Sequence, residues 1–244
     1  MDREARSRLL DEATSRFADL VSSADGSEEI VSCPGWTIDE LAVHLGTIHR
    51  WAAAIVLSGV RGLPEPSPRI SGSTATWYAG CAAALQSALQ AVDPDEPTPN
   101  FARLRETADF WLSRQLHETT IHVVDAEQSL GLPEPWSVTA EVAGHGIDEV
   151  LGVFFPRLTA QGRRPDVRTR VRLDSIDEPA SWIIAPGSDP DGPPVQLHSN
   201  ADADTAVHGT TVELYLALWG RLPAERLGFD SPEARAVLEG PKTS

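Results

Sequence analysis

Cysteine is scarce in this chain. Its two thiols, Cys33 and Cys81, form no CxxC pair, which excludes a disulfide framework and a zinc knuckle. Basic charge is also in deficit: 20 Lys and Arg stand against 36 Asp and Glu, for a formal charge of −16. A surface so acidic repels phosphate backbones, so nucleic acid is not an expected partner. No apolar run approaches the roughly 20 residues that cross a bilayer. The charged opening, MDREARSRLLDEATSRF, lacks the apolar core of a signal peptide, and the expected location is cytoplasmic. The nucleophile elbow G-x-S-x-G, the P-loop and the dinucleotide fingerprint are all missing, as are internal repeats and low-complexity tracts.

What is present is an ordinary globular composition of 244 residues, 41% apolar and 23% charged, enough for one large domain or two of usual size. Leu9, Leu10, Ala13, Phe17 and Leu20 predict a first helix over about 2–22 by their helical spacing. After the turn at Pro34 and Gly35, Thr37 and Glu40 form a capping box that opens a second helix. Leu41, His44, Leu45, Ile48, Ala52 and Ile55 share one face of it. GLPEPSPRISGS reads as a loop, an alanine-rich third helix spans about 74–92, and a fourth runs from about 100 to 130. These four predict a four-helix bundle. After the break at GLPEPWS a fifth helix covers about 138–158. From about 166 the period changes: TRVRLDS, SWIIAP, VQLHS and ADTAVHG read as short strands. TTVELYLALWGR and SPEARAVLEG return to helix, the last capped by Asp230 or Ser231. The expected architecture is therefore α+β: a helical bundle over 1–160 and a smaller α+β domain over 161–244, joined near 157–168.

Chemistry concentrates at three residues. Glu118 and His122, in RQLHETTIHVVDAE, lie i to i+4 and so one turn apart on one helix face. An imidazole and a carboxylate so placed can take two corners of a divalent metal site, and His44 is the best-placed third ligand. Three protein ligands leave an open position, the mark of a catalytic zinc-type site. On the fourth helix a stripe of Trp111, Arg114, Glu118, His122 and Asp125 runs between two apolar sides, one with Leu112, Leu116, Val123 and Ala126, the other with Phe110, Ile121 and Val124. A solvated face would give only one apolar side, so the stripe is expected to face a cavity. The alternative is a surface charge ladder of Arg114, Glu118 and His122. His49 and His117 point elsewhere by helical geometry, and Cys33, before Pro34, reads as a structural thiol.

At these residues the chain resembles the mycothiol-dependent maleylpyruvate isomerase family of the DinB/YfiT-like metalloenzyme superfamily. CPGWTIDELAVHL is similar to the family's W-T-x-x-x-L-x-x-H-L block, and RQLHETTIHVVDAE to its H-E-x-x-x-H-x-x-D-A-E block. GIDEVL and LALWGR resemble later signatures, the second in the family's C-terminal domain. The resemblance implies a DinB-like bundle with a divalent metal, zinc by expectation, on His44, Glu118 and His122. It implies mycothiol as thiol cofactor or co-substrate, deprotonated at the metal. In the isomerase reaction the thiolate adds to the cis double bond of maleylpyruvate, the bond rotates and the thiol leaves; elsewhere in the superfamily the thiolate is transferred to an electrophile. Asp125 could orient an imidazole. Arg221 could pair with a substrate carboxylate as a catalytic residue in a cleft between the domains, or serve as a cation at a helix C-terminus. Val123, Val124 and His145 stand where many relatives carry other residues, which leaves the substrate open. The same metal site could instead activate water in a hydrolase, and a non-catalytic protein binding metal or a small ligand is the reading from a different class. The expected partners are a small thiol and a small electrophile, with neither nucleic acid nor membrane.

Overall fold

The computed structural model describes every residue except 67, 69, 103, 133–137 and 241–244. The break read at GLPEPWS therefore lies, from 133 onward, outside the described residues, as do two positions of the GLPEPSPRISGS loop. By contact the chain divides into two compact units, Met1–Ser137 and Val138–Ser244.

In the first unit four helices begin where the sequence can satisfy their exposed N–H groups. Helix α1 is Arg3–Ser23, where the Asp2 carboxylate accepts from the Ala5 N–H at 2.8 Å. Helix α2, Ile38–Ser58, opens on the Thr37–Glu40 capping box, in which each side chain accepts from the other's backbone N–H. It stops at Gly59, whose φ of 65° is left-handed. Helix α3, Thr74–Ala91, is capped by Ser73. Helix α4 is Ala108–Ser129 and starts later than its sequence pattern suggests. The reason is Asn100, which is buried. Its carbonyl oxygen accepts from the Ala102 and Leu104 N–H groups and its amide donates to the Leu104 carbonyl at 2.6 Å. A side chain that satisfies the backbone locally offers an alternative to helix, and about two turns at the expected start are lost.

The bundle has two stacked apolar clusters. Leu10, Ile55, Leu85, Trp111, Leu112 and Leu116 build one; Phe17, Leu41, Leu45, Tyr78, Val123 and Ala126 build the other. Each of the larger aliphatic and phenylalanine side chains among them stabilises by about 1.5–3 kcal/mol when fully buried. Close approach of α2 and α3 depends on Gly46, where a Cβ would lie 2.4 Å from the Trp77 ring. Among the described residues α2 is the one helix long and apolar enough to cross a membrane by length and composition, where the sequence reading found no such run. Half of that window is buried in the bundle, and the helix carries His44, His49 and Arg50.

The second unit opens with α5, Ala140–Glu149, which continues through a π-helical segment, Val150–Phe154, into α6, Phe155–Ala160. The single helix expected there is interrupted just before Pro156, which has no N–H for the α-helical ladder. Strands β1 Val171–Ser175, β2 Ser181–Ala185, β3 Val195–Leu197, β4 Thr205–Gly209 and β5 Gly228–Phe229 form one mixed sheet in the order β3-β2-β1-β4-β5. Only the β1–β4 pair is parallel. Helix α7, Thr211–Leu218, has its own capping box at Thr210 and Glu213, and α8, Pro232–Glu239, is capped by Ser231 rather than Asp230. The α+β class stands as expected, with β5 an addition too short to show a period. The joint read near 157–168 differs from the division at 137/138. Helix α5 packs on α7 and so groups with the sheet, a contact that a change of hydrophobic period does not reveal.

Gly146 makes the α5–α7 contact possible. A Cβ there would lie 2.2 Å from the Tyr215 ring, which is fully buried and has no room to swing aside. Gly80, on α3, faces open space. Gly146→Ala should therefore lower stability by about 1–3 kcal/mol through overpacking. Gly80→Ala should raise it by up to about 1 kcal/mol through helix propensity. Urea denaturation of the two variants beside wild type checks both signs, and equal midpoints would contradict the packing argument.

Candidate metal centre

Helices α2 and α4 lie side by side with their chemistry at matching heights. His44 of α2 meets Glu118 and His122 of α4, and seven residues along each helix Trp51 meets Trp111, ring centroids 5.0 Å apart. Seven forward on α2 corresponds to seven back on α4, so the helices run antiparallel with the triad at one level. One donor atom from each of His44, Glu118 and His122 lies within 4.8 Å of the others. Glu118 Oε1 stands 3.4 Å from His44 Nε2 and 3.4 Å from His122 Nε2. Two donors at the usual 2.0–2.1 Å from a tetrahedral zinc are themselves about 3.3–3.4 Å apart. Donor chemistry and spacing thus both fit a divalent metal, with one carboxylate oxygen between two imidazole nitrogens.

Each donor is held from behind. The Arg114 guanidinium, almost fully buried, donates to Glu118 Oε2 at 2.6 Å and leaves Oε1 aimed at the imidazoles. His122 Nδ1 lies 2.9 Å from Asp125 Oδ2, which turns Nε2 toward the site. Asp125 is fully buried and accepts at Oδ1 from the Ser32 hydroxyl at 2.5 Å. The Trp36 ring packs against His44, centroids 4.9 Å apart. The stripe read on the fourth helix is accordingly interior: Trp111, Arg114, His122 and Asp125 are buried and Glu118 is partly so.

Two domain families match the chain: the mycothiol maleylpyruvate isomerase N-terminal domain over residues 8–127, and the C-terminal domain of the same isomerase over 141–243. The chain belongs to the mycothiol-dependent maleylpyruvate isomerase family. Similar in fold are a crystal structure of the mycothiol-dependent maleylpyruvate isomerase and one of a histidine-to-alanine mutant of it. Each is 16% identical, with 96% of both chains covered and a TM-score of 0.63. No curated protein sequence matches the chain. Within this family assignment His44, Glu118 and His122 fall in the N-terminal match and Arg221 in the C-terminal one.

Arg221 follows α7 in the second unit. Its guanidinium donates to the Trp219 carbonyl at 2.8 Å and its backbone N–H to the Leu216 carbonyl at 2.8 Å, so it does bond a carbonyl at the helix end. His49 and His117 are buried. His49 Nε2 lies 3.1 Å from the Thr119 hydroxyl, which itself donates to the Gln115 carbonyl, so the imidazole must be the donor in that contact. Sequence reasoning singled out the three candidate donors and Asp125 as a group able to orient an imidazole, but it did not find Ser32 or Trp36 behind them. Ser32 and Trp36 sit in an irregular loop with no periodicity to follow. Arg114 was visible only as one member of the polar stripe.

Burial pulls the His122 imidazole down, but hydrogen bonds with Asp125 and Glu118 outweigh it and hold the group up at about 9. Burial would raise Glu118, yet Arg114 and the two imidazoles keep it well below its ordinary value, ionised and ready as an anionic donor. Burial takes His49 down to about 3, so it stays neutral. The raised His122 stabilises the metal-free fold fully below its unfolded value of about 6.5, and this contribution disappears as pH rises through about 9. The melting temperature of metal-free protein should fall over that window, and the fall should shrink in His122→Ala. Because metal must displace the same proton, apparent metal affinity should climb there, approaching about tenfold per pH unit. Calorimetric melts and metal titrations from pH 6 to 9 check both; a flat affinity profile would contradict the assignment of His122 as a protonated ligand.

Proposed function

We propose that this protein is a metal-dependent enzyme that uses mycothiol, catalysing maleylpyruvate isomerase-like cis/trans isomerisation or transfer of the thiol to a small electrophile. The observation that carries the reading is Glu118 Oε1, 3.4 Å from both imidazole nitrogens, in a chain of this family. His44, Glu118 and His122 would hold the metal. When bound, a zinc-type ion with an open position supplies the positive charge that keeps a thiol sulfur in its thiolate form near neutral pH. The chain's own residues do the positioning. Arg114 keeps Glu118 ionised and fixes which oxygen it offers, and Asp125 orients His122. The Trp36 ring packs against His44 on one side of the site. Arg221, in the C-terminal domain, is assigned to the carboxylate of the co-substrate, for which a guanidinium fork is the suited partner. The partners are small molecules, a low-molecular-weight thiol and an electrophile.

Protein purified without chelator should carry close to one divalent metal per chain, and His122→Ala should lose it; full retention in that variant would overturn the ligand set. In titration calorimetry Glu118→Gln should abolish mycothiol binding. Arg221→Ala should leave thiol affinity near wild type while raising KM for an anionic co-substrate by roughly tenfold to a hundredfold, the worth of a lost charged hydrogen bond. Turnover that is independent of thiol would favour a hydrolase instead.

A further inference from the structure

A cavity of about 330 Å³ opens beside α2, between that helix and the segment that follows it, lined in part by Thr47, Arg50, Trp51, Ser58, Arg61 and Glu65. We propose that this cavity binds the glycoside portion of mycothiol, the glucosaminyl-inositol, while the sulfur is held at His44, Glu118 and His122. The inference rests on the thiol reading above and locates a binding site for the rest of the molecule.

Position is the first argument. Thr47 and Trp51 lie three and seven residues beyond His44, so they share its face of α2. At 1.5 Å per residue Trp51 is about 10 Å from His44 along the helix. Trp51 also packs on Trp111, which stands seven residues before Glu118 on α4. The cavity thus begins one turn from His44 on the flank of α2, between that helix and the segment after it, and a ligand anchored by sulfur at the triad can extend along α2 into it. Its volume sits at the lower end of the range for small-molecule sites, about 300–1,000 Å³.

Chemistry is the second. Both guanidinium groups are charge-compensated: Arg50 lies 3.2 Å from Glu65, and Arg61 reaches Glu106 at 2.7 Å as well as the Asn100 carbonyl. A multiply charged anion gains little from such a lining. A neutral polyol suits it, because each hydroxyl can donate to a carboxylate and accept from a guanidinium. The Thr47 and Ser58 hydroxyls donate to the Val43 and Ala54 carbonyls of their own helix; Ser58 also accepts from the Val60 N–H, and the Thr47 oxygen can accept from a ligand hydroxyl. Trp51 commits its indole N–H to the Gly62 carbonyl at 2.9 Å, which ties the ring to the cavity's far wall. What remains of it is apolar ring surface, suited to the carbon-bound face of a sugar.

The test is titration calorimetry of metal-loaded protein with mycothiol, with N-acetylcysteine as a sugar-free thiol, and with N-acetylglucosaminyl-inositol as a neutral, thiol-free fragment. Ala54 lines the cavity and is exposed, so Ala54→Trp fills the space from the helix surface. Arg50→Ala, which removes a half-exposed side chain, serves as the second variant should the first fail to fold. Both variants should weaken mycothiol binding about tenfold or more and leave N-acetylcysteine binding unchanged. Mycothiol affinity within about twofold of wild type in a folded variant would overturn the cavity assignment and leave the thiol site standing. If neither thiol binds the wild type, the thiol site fails. Fragment binding that Ala54→Trp abolishes would then still support the cavity as a polyol site, and no fragment binding would sink it too.

Discussion

The carboxylate of Glu118 is shared between a buried guanidinium on one oxygen and two imidazoles on the other, and most of the first unit is arranged around that sharing. An ionised carboxylate inside a helical bundle is tolerated only when its charge is answered on the spot, and Arg114 answers it from one turn away on the same helix. Truncating one member of such a buried pair leaves the other uncompensated and costs about 3–5 kcal/mol. The pair is better understood as an orienting device than as a source of stability. It leaves one oxygen with no freedom to turn away from the histidines. Asp125 does the same for His122 from the next turn, itself tethered by Ser32.

Such a constellation works only if α2 and α4 keep their relative height, and the fold holds that register in several independent ways. The capping box at Thr37 and Glu40 starts α2 at a defined residue, and Gly59 ends it. Gly46 lets the Trp77 ring of α3 press onto α2, and Trp51 locks against Trp111 below the triad. At the head of α4, Asn100 ties up the preceding loop and fixes where the helix starts. A slip of one residue on either helix would turn its histidine or glutamate through about 100° and break up the cluster.

Chain and fold agree with the family at two levels that carry different weight. Domain matches cover both halves of the chain and establish membership. The likeness to the crystal structures, at 16% identity, establishes architecture. Specific chemistry has to come from the site, and there the donor spacing and its supporting groups are this chain's own.

Much of this was legible in the sequence because short-range physics decides it. Thr37 and Glu40 announce a helix start through the hydrogen bonds they offer to adjacent N–H groups, and Asp230 with Ser231 marks another, where the structure chooses Ser231. Glu118 and His122 at i, i+4 must share a face whatever surrounds them, and the change from helical to alternating period marks the strands. Other features rest on contacts between residues far apart in the chain. The assignment of α5 to the second unit follows from packing on α7, the late start of α4 from a buried Asn100, and the two-residue β5 from pairing with β4. The clamp by Arg114 and the tether by Ser32 lie outside any spacing rule for ligands, since spacing says which side chains are neighbours and not which atom each one turns inward. Sequence by itself determined that Glu118 and His122 share one face of one helix and that His44 lies on another. Only the tertiary structure decided that His44 stands level with Glu118 and His122, because that height is set by how α2 and α4 pack and not by either helix alone.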